Sequence, residues 1–194
     1  NNKVEAERNL IDFLLFMTFF SQVLSGPIVR YVDMKEELKN RSVNSDDIRY
    51  GLMRFVIGLA KKVFIANNLG ILVDSIWGIS TYEMTAAVAW IGSLAYTLQI
   101  YFDFSGYSDM AIGLARVFGF RFKENFDYPY ISRTITEFWR RWHISLSSWF
   151  RDYIYIALGG RRTVNVYFNI FVVFLVTGIW HGSAWNFVIW GLWN

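Results

Sequence analysis

No Asp, Glu, Lys or Arg occurs between Glu83 and Asp103, a run of 19 residues, and none occurs after Arg162, over the last 32 residues of the chain. A helix crossing the hydrocarbon of a bilayer needs about 20 predominantly apolar residues, so Met84–Phe102 and Val164–Trp180 read as transmembrane spans. Composition agrees: of 194 residues, 54% are hydrophobic, 20% aromatic and only 18% charged, against about 25% charged in soluble domains. Disorder, collagen and a solvated coiled coil are excluded on the same grounds. Leu10–Leu24 is a third and poorer span, carrying Asp12 and stopped at Gly26-Pro27, because proline disfavours helical geometry in the residue before it. Gly51–Trp77 is long enough to cross, but Arg54, Lys61, Lys62 and Asp74 set it against protein, a cavity or an interface rather than lipid.

The segments between these runs are of two kinds. Arg30–Arg49 is polar and mixed in charge, a solvent loop with short helices, and Asn44-Ser45-Asp46 carries a helix-start signal. Gly106–Gly119 and Thr134–Ala157 are apolar at helical spacing yet interrupted by Asp109, Arg116, Glu137, Arg140, Arg141, Arg151 and Asp152. They read as half-buried or re-entrant helices, and broken segments at membrane depth require protein cover or a water-lined cavity. Nine Lys/Arg lie between the two best spans, which puts that connection on the cytoplasmic side. The first residue is Asn1, and the final apolar run, Ala184–Asn194, is 11 residues, too short to cross. The whole chain, 1–194, is therefore expected to be one membrane-embedded domain truncated at both ends.

Chemistry is limited by what the chain lacks. Without Cys there is no thiol nucleophile, thiolate zinc site or iron–sulfur cluster, and two His cannot make a three-His metal site. The net charge of +3 and pI near 9.1 suit basic juxtamembrane loops better than a nucleic-acid binder. His181, in Gly178-Ile179-Trp180-His181-Gly182, is an ionisable ring in a charge-free stretch, which marks a functional candidate. Flanking glycines let a substrate or another backbone come close to it, and burial would keep the ring neutral and able to accept a proton. A helix-end His bonded to a carbonyl is the alternative.

On a continuous helix running on from Thr134, Trp139, Trp142, Leu146 and Trp149 share one face, and Arg140, His143 and Ser147 another. That pattern fits an interfacial amphipathic helix as well as a lining role for His143. Asp103 ends the better span, and either marks the membrane surface or orients a cationic or imidazole partner. Gly106-Tyr107-Ser108-Asp109-Met110 lacks the last glycine of a nucleophile elbow. The residues five after each His are Ser148 and Asn186, not the acid of soluble glycerolipid acyltransferases. No Walker loop, dinucleotide fingerprint or zinc-protease helix is present.

Five ordered runs resemble a known family: Tyr101-Phe102-Asp103-Phe104-Ser105-Gly106-Tyr107-Ser108-Asp109, Glu124-Asn125-Phe126-Asp127-Tyr128-Pro129-Tyr130, Glu137-Phe138-Trp139-Arg140-Arg141-Trp142-His143-Ile144-Ser145-Leu146-Ser147, Trp149-Phe150-Arg151-Asp152-Tyr153 and Gly178-Ile179-Trp180-His181-Gly182. They resemble the bacterial membrane-bound O-acyltransferase superfamily, in its alginate O-acetyltransferase-like branch. Gln22–Tyr31 and Leu158-Gly159-Gly160-Arg161-Arg162 fit the same branch. The resemblance implies an all-α, multi-pass ring of helices around a tunnel, with re-entrant and amphipathic helices, in the bacterial inner membrane. It implies His181 as the catalytic His and His143 as the second tunnel His. Asp103, Arg140, Trp142, Ser147, Trp180 and Asn186 are expected to line the path of the substrate, with no metal and no bound cofactor.

The expected donor is a cytoplasmic acyl thioester, acetyl-CoA, and the expected partners are membrane lipid and periplasmic acetyl-transfer proteins that modify a polysaccharide such as alginate. If Val164 starts at the cytoplasmic edge, 17 helical residues rise about 25 Å and carry His181 past mid-membrane. A transporter or flippase using the same imidazoles, or a purely structural membrane subunit, are the rival readings.

Overall fold

The computed structural model describes residues 7–20, 26–162, 165–182 and 184–193, and among them all regular structure is helical. The chain divides into two compact units, Asn1–Phe126 and Asp127–Asn194.

The first unit is built on two long helices. Asn44 caps α3 (Ser45–Ala60), its side chain accepting the Asp47 N–H at 2.8 Å, so the helix begins where the sequence signals it. A π-type turn, Lys61–Ala66, leads without a break into α4 (Asn67–Trp77). Helix α5 runs over Ala86–Val117 and starts on Thr85, whose side chain accepts from Val88 N. It closes at Gly119 (φ +83°), where Gly119 N bonds Arg116 O and Phe120 N bonds Ala115 O. That left-handed closure satisfies two carbonyls at the helix end and suits glycine.

Helices α3 and α5 run antiparallel, because Gly51 meets Gly113 while Gly58 meets Gly106. Seven residues are two helical turns, so each pair of glycines lies on one face. A Cβ on Gly51 would stand 2.5 Å from the Gly113 carbonyl oxygen. The backbones touch directly, the small-residue contact by which helices associate where the hydrophobic effect is weak. At the far end of α5, α1 (Leu10–Thr18) and α2 (Tyr31–Asn40) flank a core of Phe19, Met34, Leu38, Ala115 and Phe120. Met34 and Phe120 are each 1% exposed, a burial worth about 1.5–3 kcal/mol per side chain.

The structure revises the span assignments. Among the described residues, the helix long and apolar enough to cross a membrane is Ser45–Trp77, 33 residues, the one its charges had set apart. Three of those charges are paired: Lys61 with Asp109 and Lys62 with Asp103 across the helix contact, and Arg54 with Asp109 and with Glu124 beyond α5. Met84–Phe102 takes in the first part of α5, which continues through Asp103 for 14 more residues, and Ser93, Thr97 and Gln99 dilute its apolar character. The helix near the N-terminus ends at Thr18, short of Leu24, and residues 21–25, which include Gln22–Ser25, lie outside the described part.

The second unit opens on Asp127, held by Arg141: Asp127 N donates to Arg141 O at 2.9 Å, and the guanidinium reaches the Asp127 carboxylate at 3.1 Å. Thr134 caps α6 (Ile135–Arg141) by accepting from Glu137 N, while Glu137 accepts from Arg133 N. Helix α7 (Ile144–Phe150) passes into a π-type turn, Arg151–Tyr155. Asn169, buried on α8 (Val166–His181), donates to Gly160 O at 3.1 Å and so holds the Gly159-Gly160 turn, where both residues have positive φ. Helix α8 has 16 residues, with 163 and 164 outside the described part, fewer than a full crossing needs. It forms a hairpin with α9 (Trp185–Trp193), where Gly178 lies against the backbone of Gly191.

Candidate functional site

The expected continuous helix over Thr134–Ala157 does not exist. It breaks at Trp142, which is extended (φ −99°, ψ 127°), and His143, which is left-handed (φ 44°, ψ 55°). A left-handed backbone at a residue other than glycine costs roughly 1–2 kcal/mol and persists where the surroundings fix it. The break separates the residues that helical spacing had grouped. Trp139 turns to α8 and α9, meeting Phe174 at 5.4 Å and Trp190 at 6.3 Å between ring centroids. Trp142 instead stacks on Phe138 at 5.6 Å and lies near Tyr130.

His143 is the best-buried ionisable group of this unit, 6% exposed. Its carbonyl accepts from Ser147 N at 3.0 Å, which starts α7, and its Nδ1 lies 3.5 Å from Ser145 Oγ. Burial pushes its pKa from the usual 6.5 down to about 4, with the charge on His181 a smaller second cause. The ring is therefore neutral at physiological pH, and the two imidazoles lie within electrostatic reach.

Of the other expected residues, Ser147 spends its hydroxyl on the Trp142 carbonyl at 3.2 Å. Arg140 is exposed on α6, away from the face that His143 had been expected to share with it. Asn186 is exposed on the first turn of α9.

His181 ends α8 with its ring among aromatic neighbours: Trp180 edge-on at 5.1 Å, Phe187 stacked at 6.3 Å and Trp190 edge-on at 5.9 Å. The chain leaves the residue exposed, where the sequence alone suggests burial. Trp180 beside it is also exposed. The flanking glycines admit a backbone and a ring: Gly178 takes α9, and Gly182 takes the Phe187 ring, which a Cβ would meet at 2.7 Å. Trp139, Phe174, Trp190 and His181 thus form a continuous run of rings joining α6, α8 and α9.

In the first unit, Asp103 pairs with Lys62, each side chain about two-fifths exposed. Beside it lies a cluster that spacing did not reveal. Asp109 accepts from Arg54 at 2.8 Å through one oxygen and from Lys61 at 2.6 Å through the other. Arg54 also bonds Tyr50 Oη at 2.7 Å and both oxygens of Glu124. The cluster carries two cations, Arg54 and Lys61, and two anions, Asp109 and Glu124, and is neutral overall. Arg54 and Lys61 are two turns apart on one face, the signal that could have disclosed it. Asn125 and Phe126, next to Glu124, also pack here, Asn125 on Ser108 Oγ at 3.1 Å and Phe126 on Phe104 and Tyr101.

Comparison with known proteins adds to this geometry. The sequence model of the MBOAT, membrane-bound O-acyltransferase family matches residues 6–194. A Pseudomonas putida protein named "Probable alginate O-acetylase AlgI" is 52% identical over 191 residues, covering 97% of this chain and 39% of the relative. The "Peptidoglycan O-acetyltransferase" of Helicobacter pylori is 45% identical, over 95% of this chain and 36% of the relative. The "Teichoic acid D-alanyltransferase" of Bacillus subtilis is 34% identical, over 93% and 49%. The chain thus spans less than half the length of these relatives.

Proposed function

The chain belongs to the membrane-bound O-acyltransferase family, and on that premise we propose that residues 127–194 carry the acyl-transfer centre of an O-acetyltransferase. One observation supports it above the others: a neutral buried imidazole on a left-handed break and a second imidazole at an apolar helix end lie in one unit within electrostatic reach. His181 accepts the proton of an acceptor hydroxyl as its oxygen attacks the thioester carbonyl. The C–S bond then breaks, and the thiolate leaves as the thiol with that proton. General-base help of this kind contributes about 10²–10⁴-fold. His143 serves the carbonyl as a neutral polar group rather than a cation.

The donor in this reading is acetyl-CoA from the cytoplasm. The full protein is a multi-pass ring of helices around a tunnel in the inner membrane. Periplasmic acetyl-transfer proteins carry the acetyl group to an extracellular polysaccharide such as alginate. The names of the relatives support O-linked transfer to cell-surface polymers. Deleting the gene and measuring ester-linked acetate on surface polysaccharide by mass spectrometry tests it: the ester disappears if the reading holds, and unchanged acetylation refutes it.

A further inference from the structure

The hydroxyl beside the His143 ring comes from Ser145, not from the residues that helical spacing groups with it. Ser147 donates its hydroxyl to the Trp142 carbonyl, and Arg140 is exposed. Ser145 stands in their place. The left-handed φ of His143 turns the chain back on itself, so that residue 145 brings Oγ to 3.5 Å from Nδ1 of the ring two positions earlier. Ser145 is anchored in turn, its carbonyl accepting from Ser148 Oγ at 2.9 Å. A neutral imidazole carries one proton, and the group bonded to one nitrogen decides which nitrogen holds it.

We propose that Ser145 is a positioning residue that fixes the orientation and tautomer of His143. The proposal rests on the acyl-transfer reading above and deepens it. Such supporting hydrogen bonds are worth about 10- to 100-fold in activity where they orient an imidazole that ligates a metal, and the same size of effect is expected here.

The test uses the full-length protein with Ser145→Ala, Ser145→Thr and His143→Ala, reading kcat and KM for acetyl transfer from acetyl-CoA and the ¹⁵N ring shifts of labelled histidine. Ser145→Ala is expected to lower kcat about 10- to 100-fold with KM little changed and to shift the His143 tautomer signals. Ser145→Thr, which keeps the hydroxyl, restores both and shows that the site folds. Wild-type kcat in Ser145→Ala, a loss confined to KM, unshifted ring signals, or no restoration by Thr each overturns the proposal. Full activity of His143→Ala instead removes the acyl-transfer role of that ring, and the proposal with it. Loss in His143→Ala alongside an active Ser145→Ala refutes only the role of Ser145.

Discussion

Gly58 and Gly106 meet backbone to backbone across the α3–α5 contact: a Cβ on Gly58 would stand 2.5 Å from the Gly106 carbonyl oxygen, and one on Gly106 would stand 2.7 Å from the Gly58 oxygen. Neither atom is the far end of a flexible side chain, so neither can move aside cheaply. Gly58→Val should therefore force the helices apart and destabilise the protein by about 1–3 kcal/mol. A lower thermal unfolding midpoint of the detergent-solubilised full-length protein checks this.

The close approach also brings the charged cluster together. Asp109 answers both Arg54 and Lys61, so Asp109→Ala leaves two half-buried cations without that acceptor, at a cost of about 2–3 kcal/mol. In a double-mutant cycle, Asp109→Ala and Arg54→Ala should be non-additive by at least about 0.5 kcal/mol, as for residues of one network. Additive losses would show that the pair does not act as a unit.

The buried imidazole predicts a pH effect with a definite sign. The pKa of His143 is lower in the fold, about 4, than its ordinary 6.5. Between those values the unfolded chain binds a proton that the folded chain does not, so stability is full above pH 6.5 and falls as the pH drops toward 4. The loss amounts to about 3 kcal/mol at the acid end. Denaturation curves of wild type and His143→Gln between pH 7 and about 4.5 should converge on acidification, since the variant has no such proton to take up.

Gly178 sets how closely α9 approaches α8, and α9 carries the Phe187 and Trp190 rings that meet His181. Gly178→Leu should push α9 away and free the His181 ring, lowering kcat for acetyl transfer by tenfold or more, an effect that about 1.4 kcal/mol of lost positioning produces. Unchanged kcat would show that the hairpin does not position the ring.

How much of this is legible in the sequence depends on whether its cause is local. Asn44 as a helix start depends only on the Asp47 N–H three residues on, and it reads directly. The two imidazoles likewise stand out, because charge and polarity are rare around them. The break at Trp142–His143 does not: periodicity assumes that a helix continues, and His143 is held left-handed by surroundings that spacing cannot express. The grouping of Arg140, His143 and Ser147 failed with it. At 51–77 the sequence shows that Arg54 and Lys61 must face something other than lipid but not what answers them, since Asp109 lies 55 and 48 residues away. For Asp103 the sequence leaves a surface marker and a cationic partner equally open; the structure pairs it with Lys62, 41 residues away, while α5 runs on past it.

The account turns on His181 as the group that takes the hydroxyl proton. Acetyl transfer from acetyl-CoA by the purified full-length protein, compared with its His181→Ala variant at equal folding and membrane insertion, measures that role directly. The account predicts a fall in kcat of about 10²-fold or more with acetyl-CoA binding retained; a variant that transfers acetyl at the wild-type rate would contradict it.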